Sequence, residues 1–193
     1  MKIFLTTTAA IAATLVIAAP AAAQRVPAAN IAVVDTNRVT TECTACRSAS
    51  AALQAQVAAL RARQQQLTTS LQGEGTAIQT AINALNGKQP DATLTARIKA
   101  IQAKQEAANQ ELERQQAQIK RNQQYVLQQI GTRLEPLVTQ VMQNRGANLV
   151  IEASATLKVA PAIDVTNDVL AALNAALPSV VTTAPAAAAP TRR

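Results

Sequence analysis

Histidine and tryptophan are absent from the 193-residue sequence, and Tyr125 is the one aromatic residue after Phe4. Without histidine, most general-base, catalytic-triad and transition-metal designs lose their usual side chain. Without aromatics, base-stacking platforms and aromatic-lined small-molecule pockets are excluded as a basis for binding. A nucleotide-binding phosphate loop is missing as well. Gly87-Lys88 has Ile82 where the upstream glycine belongs and Gln89 where serine or threonine should follow. No catalytic, cofactor-binding or metal-ligating residues are expected.

Long apolar runs are equally scarce, apart from one at the start. Lys2 provides a positive start, Ile3 to Ala19 is apolar, and Ala21-Ala22-Ala23 offers the small-x-small pattern of a signal-peptidase site. The run is short for a membrane span and Pro20 follows it, so cleavage between Ala23 and Gln24 is expected, with export to the periplasm. The chain carries 18 basic and 11 acidic residues, a net charge of +7. Loss of Lys2 with the leader leaves it basic. Positive charge suits nucleic acid, anionic lipid or acidic polypeptide, and export removes nucleic acid from the choice. The basic side chains are scattered (Arg97, Lys99, Lys104, Arg114, Lys120, Arg121, Arg133), as on a solvated helix exterior.

What the sequence has in quantity is helical period. Leu53, Val57, Leu60, Leu67, Leu71, Ile78, Ile82 and Leu85 follow steps of four and three, with Gln64 and Glu74 filling gaps. Leu94, Ile98, Ile101, Ala108, Leu112, Ile119, Val126, Ile130, Leu134, Leu137 and Val141 do the same, with one slip after Val126. Each segment carries one narrow apolar seam, which suits a single partner helix. Asn86-Gly87-Lys88-Gln89-Pro90-Asp91 supplies a stop, a turn and a new start, so the two arms fold back on each other. Gly73-Glu74-Gly75 interrupts the first arm, at about 1 kcal/mol per glycine relative to alanine, and reads equally as a hinge or as a tolerated soft point.

Short elements flank the hairpin. Asn30 to Asp35 reads as a buried strand, with helix from about Val39 running into the first arm. Arg145-Gly146 closes the second arm. Asn148 to Ala153 reads as a second strand and Thr156 to Val159 as a third. Asp164 to Leu177 is then an amphipathic helix seamed by Val165, Val169, Leu170, Leu173 and Leu177, with Asp164 or Thr166 as N-cap. From Pro178 the composition shifts to Pro/Ala/Thr, and residues 178–193 are expected to be a disordered tail. The resulting fold class is α+β. A small β-body (residues 24–46 and 146–177) carries a long antiparallel coiled-coil hairpin (about 47–145). Such a body buries little alone and leaves strand edges open, which argues for oligomerisation.

Cys43 and Cys46 are spaced Cys-x-x-Cys near the start of the first long helix. In an exported chain that spacing favours a local disulfide. A thiol redox site uses the same spacing, but the surrounding βαβ pattern is missing. A metal site or intersubunit link would need ligands from another copy. The disulfide is the favoured reading and the other two stay open.

The order of segments is itself a motif: signal, Asn30-Ile31-Ala32-Val33-Val34-Asp35, long hairpin, Asn148-Leu149-Val150-Ile151-Glu152-Ala153, then Asp-x-Thr-x-Asp-Val-Leu from Asp164. This resembles the Skp/OmpH family of periplasmic chaperones for outer-membrane proteins, over nearly the whole chain from Gln24 to about Leu177. The resemblance implies a homotrimer whose strands form a shared body and whose helical tentacles enclose a cavity. It implies a holdase that keeps unfolded outer-membrane β-barrel proteins in that cavity without ATP. An anionic lipid surface is the expectation from the positive charge, and a lipopolysaccharide surface from the resemblance, assigned to no particular arginine. The low aromatic content, the Cys-x-x-Cys and the Pro/Ala tail depart from the family pattern.

The alternative is a structural or adaptor coiled coil of the cell envelope whose tip docks on a channel. The flanks, roughly 20 and 30 residues by pattern, are short for the lipoyl-like and barrel domains such adaptors carry. A thiol oxidoreductase rests on the cysteine pair alone.

Overall fold

The computed structural model describes residues 27–185; the expected signal segment with its Ala23/Gln24 junction, and residues 186–193, lie outside the described residues. Two regions follow from the sequence pattern, a small α+β body and a long helical hairpin.

The body is built on β1 (Ile31–Val34) and β2 (Leu149–Glu152). They pair in parallel, Ile31 opposite Leu149 through Val34 opposite Glu152. The hairpin is therefore the crossover between two neighbouring parallel strands. The other edge of β1 is taken by Ile163–Val165, where Val33 donates to the Ile163 carbonyl (2.8 Å) and accepts from the Val165 N–H (2.9 Å). Thr156–Val159, expected as the third strand, is not one. Ala153–Ala155 turns the chain as a 3-10 segment, Leu157 is fully exposed, and Val33 is already paired with the later segment.

Asp35 accepts from the Arg38 N–H (2.8 Å) and caps α1 (Thr36–Glu42). The helix expected to run unbroken from about Val39 is broken at Cys43, whose ψ of 143° is extended. The second helix, α2 (Thr44–Ala84), restarts there. Two of its orphan donors are satisfied: Cys46 N–H by the nearby Cys43 Sγ (3.0 Å) and Thr44 N–H by the distant Asn174 Oδ1 (2.8 Å).

The descending arm is α3 (Ala92–Asn144), 53 residues long and so about 80 Å in extent. Between the arms, Asn86 and Gly87 have φ of 48° and 82°. That left-handed pair suits asparagine and glycine and reverses the chain. Asp91 then caps α3 through the Leu94 N–H (2.7 Å). At the far end Gly146 has φ 67°, with Gly146 N–H on Gln143 and Ala147 N–H on Met142, a Schellman closure. Gly73 and Gly75 do not interrupt α2.

The last helix, α4 (Thr166–Ala176), closes the body. Its N-cap position is Val165, not Asp164 or Thr166. The Thr166 hydroxyl is instead engaged by the Asp35 N–H (3.0 Å), tying α4 to the end of β1. Val39, Cys43, Val169 and Leu173 are fully buried where α1, α2 and α4 meet, and the core continues into the base of the hairpin at Val126, Ile130, Leu134 and Val141.

Candidate binding surfaces of the body and hairpin

Cys43 and Cys46 are joined, Cα to Cα 5.0 Å, at the junction between α1 and α2. Both are buried, Cys43 completely. The bond spans the helix break, so it holds the angle at which the long arm leaves the body. Neither sulfur is open to a substrate in this state.

The sheet leaves an apolar rim. Ile31, Leu149, Leu157 and Ile163 are exposed, and the outer edge of β2 has no strand partner among the described residues. Open strand edges and exposed apolar side chains are features common to surfaces that pair with another chain.

Along the hairpin the seam is narrow, as its period requires. Ile78, Leu94 and Ala108 are buried, while Leu60, Leu67, Leu71 and Leu112 are half-exposed. Two ion pairs bridge the arms. Arg63 meets Glu111 with two hydrogen bonds (2.7 and 3.1 Å), and Lys104 meets Glu74 (2.6 and 2.8 Å). The guanidinium hydrogen bonds hold the Glu111 carboxyl below its usual range, and Glu111 in turn raises Arg63. In the body, the hydroxyl and N–H of Thr166 stabilise the Asp164 carboxylate and lower its pKa. Arg97, Lys99, Arg114, Lys120 and Arg133 point to solvent along α3. They form a dispersed positive surface and no single anion pocket.

The tail is where the structure departs most from expectation. Residues 181–184 lie against the hairpin. Gln129 pairs with Val181 at two points, its Nε2 donating to the carbonyl (2.8 Å) and its Oε1 accepting from the N–H (3.1 Å). Gln56 Nε2 donates to the Thr182 carbonyl (3.2 Å). Asn122 Oδ1 accepts from the Ala184 N–H (2.9 Å), and Gln118 Nε2 donates to the Ala184 carbonyl (3.3 Å). Asn122 is itself buried in the seam and donates to Gln56 Oε1 (2.8 Å). Arg121 donates to Gln118 Oε1, which turns the Gln118 Nε2 toward the tail. Beside Thr183 an open groove of about 530 Å³ continues between the arms, past Leu60, Arg63, Gln115 and Ile119. Reading the sequence for apolar seams passed over these amides. The available signal was the polar Asn122 at a seam position and the spacing of seven to Gln129.

Among the described residues no three acidic or cysteine side chains gather as a metal site, and no helix is long and apolar enough to cross a membrane.

No curated protein matches the sequence. Among solved structures, the crystal structure of an OmpH-like protein from Caulobacter crescentus CB15, assigned as an outer membrane chaperone, is similar with a TM-score of 0.69. The two are 20% identical, and the match covers 81% of this chain and 90% of that one. A family model, outer membrane protein (OmpH-like), matches residues 30–173, from Asn30 just before β1 to Leu173 in the core of α4. The parallel pair of strands, the hairpin crossover and the first eight residues of the closing helix fall within that span, and the chain belongs to the OmpH-like family.

Proposed function

We propose that this protein is an ATP-independent periplasmic holdase, exported by a signal cleaved between Ala23 and Gln24, that keeps unfolded outer-membrane β-barrel proteins from aggregating. The observation that carries this is the hairpin. Two arms of 41 and 53 residues stand off a small body, joined by a narrow seam, with most of their surface uncommitted. A holdase needs many weak contacts spread over a large surface, so that a disordered client keeps much of its entropy. Half-exposed leucines, glutamines and dispersed lysine and arginine supply contacts of that kind. Their positive field also speeds encounter with acidic clients.

The working form is a homotrimer. The exposed rim of Ile31, Leu149, Leu157 and Ile163 and the open edge of β2 favour association of bodies, which would set the hairpins around a common cavity. The Cys43–Cys46 bond serves structure, stiffening the root of each arm. Dispersed basic residues on α3 also suit an anionic lipid or lipopolysaccharide surface.

Light scattering on a sizing column tests the proposal, with the protein alone and after dilution of a urea-unfolded outer-membrane barrel into it. A trimer that gains the mass of one client without ATP is the expected result. A monomer or dimer that leaves the client to aggregate overturns the proposal and returns the hairpin to a docking or adaptor role.

A further inference from the structure

Five hydrogen bonds hold residues 181–184 to the hairpin, and on the tail side every one uses a backbone group. On the hairpin side every partner is a glutamine or asparagine amide. We propose that this face of the hairpin is a backbone-reading groove for extended polypeptide, that the tail is its resident occupant, and that an unfolded client segment takes the same place by displacing it.

The chemistry is that of a strand edge rebuilt from side chains. A primary amide offers both a donor and an acceptor, so it can meet a peptide N–H and C=O as a neighbouring strand does. Gln129 does this at Val181 with both of its atoms. Recognition of this kind ignores side-chain identity, which is what a binder of many unfolded chains requires.

The spacing fits as well. Asn122 and Gln129 lie seven residues apart on α3, a rise of about 10.5 Å. The backbone amides they engage, Ala184 and Val181, are three residues apart, about 10 Å in an extended chain. A heptad of amides on a helix thus keeps step with every third residue of an extended peptide. Gln115, one heptad further toward the tip, lines the open groove beyond Asn122 and continues the track. The amides are also pre-set: Arg121 orients Gln118, and Gln56 and Asn122 hold each other.

The tail is tethered directly behind α4, so its effective concentration at the groove is high, on the order of millimolar for a short linker. A client therefore binds in competition with it, and loosening the tail raises apparent affinity.

This inference rests on the chaperone reading for the identity of the client, and the experiment separates the two. End-blocked fluorescent peptides are titrated into the mature chain, into Val181→Pro, and into a chain ending at Leu177, each checked for helical content. Three peptides are used: residues 178–185, a scramble of them, and a version N-methylated at the positions of Val181 and Ala184. Both altered proteins are expected to bind the first two peptides with affinities within about threefold of each other, and about tenfold or more tighter than the full chain. N-methylation, or Gln129→Ala in the shortened chain, is expected to abolish that gain. Preference for the native order over the scramble would overturn backbone reading and leave a private strap. Equal binding by all three proteins would overturn competition by the tail.

The same proteins are then scored for suppressing aggregation of an unfolded outer-membrane barrel. Peptide binding without suppression by any form leaves the groove standing and overturns the chaperone reading. Suppression by all forms without peptide binding leaves the chaperone reading standing and overturns the groove.

Discussion

The body and the arms both pack around leucine, valine and alanine, yet they are stabilised differently. In the body, α1, α2 and α4 converge so that Val39, Val169 and Leu173 retain no exposed surface. In the distal arms, beyond the base of the hairpin, the seam has a single partner helix, and Leu67 and Leu71 stay only partly buried. Burial from several directions makes a unique core, whereas burial from one makes an extended, yielding surface. The proposed holdase role would use that division, with a root that holds and walls that adapt.

The largest test of the contrast is truncation in each region. Leu173→Ala is expected to cost about 2–5 kcal/mol, because it opens a cavity in a closed core. Leu71→Ala, at a partly buried position with one partner helix, is expected to cost about 1 kcal/mol. Denaturant unfolding of each variant measures the gap, and equal costs would break the contrast.

Next is the bond at the root. Replacing Cys43 and Cys46 by serine, or reducing them, releases only a very short loop, so a loss of about 2 kcal/mol is expected. Hydrogen exchange should show it as faster opening of the first turns of α2, with no change at the tip.

A smaller effect is expected from the pair that bridges the arms beside the glycines. Lys104→Ala removes the contact with Glu74 at an exposed site, for less than about 1 kcal/mol, and added salt should weaken the wild-type contact in the same way. Faster exchange confined to the distal arms would show that the pair restrains Gly73–Gly75.

The smallest is acid sensitivity of the body. The Asp164 carboxyl is lowered by its hydrogen bonds with Thr166. Its contribution is therefore complete above the usual aspartate value near about 3.9 and is lost as pH falls through the lower folded value. Stability should be indifferent to the Asp164 proton between about pH 5 and 8. Below about pH 4 the wild type should lose an increment that Asp164→Asn does not.

Much of the molecule was legible in advance because it is written locally. The seam positions define the two arms, Asn86-Gly87 matches a left-handed reversal, and Gly146 closes α3 as glycine does. The strand at Ile31–Val34 and the seam of α4 followed from period and composition. The errors are long-range. Thr156–Val159 looks as much like a strand as its neighbours, but the edge of β1 goes to Ile163–Val165. Cys43 breaks a helix that local propensity would continue, at a junction where Asn174 of α4 meets the new N-terminus. Residues 181–184 had no local reason to settle on the hairpin, because their partners lie between 52 and 126 residues away.

Hydrophobic period and turn chemistry act over a few residues, and they alone determined that this chain is a small body carrying a long antiparallel hairpin. Which segment borders β1, where the first helix breaks and what lies along Gln56, Asn122 and Gln129 were decided by tertiary structure. Those choices turn on hydrogen-bonding groups that are interchangeable in sequence and become distinct only when the folded chain brings one partner within reach.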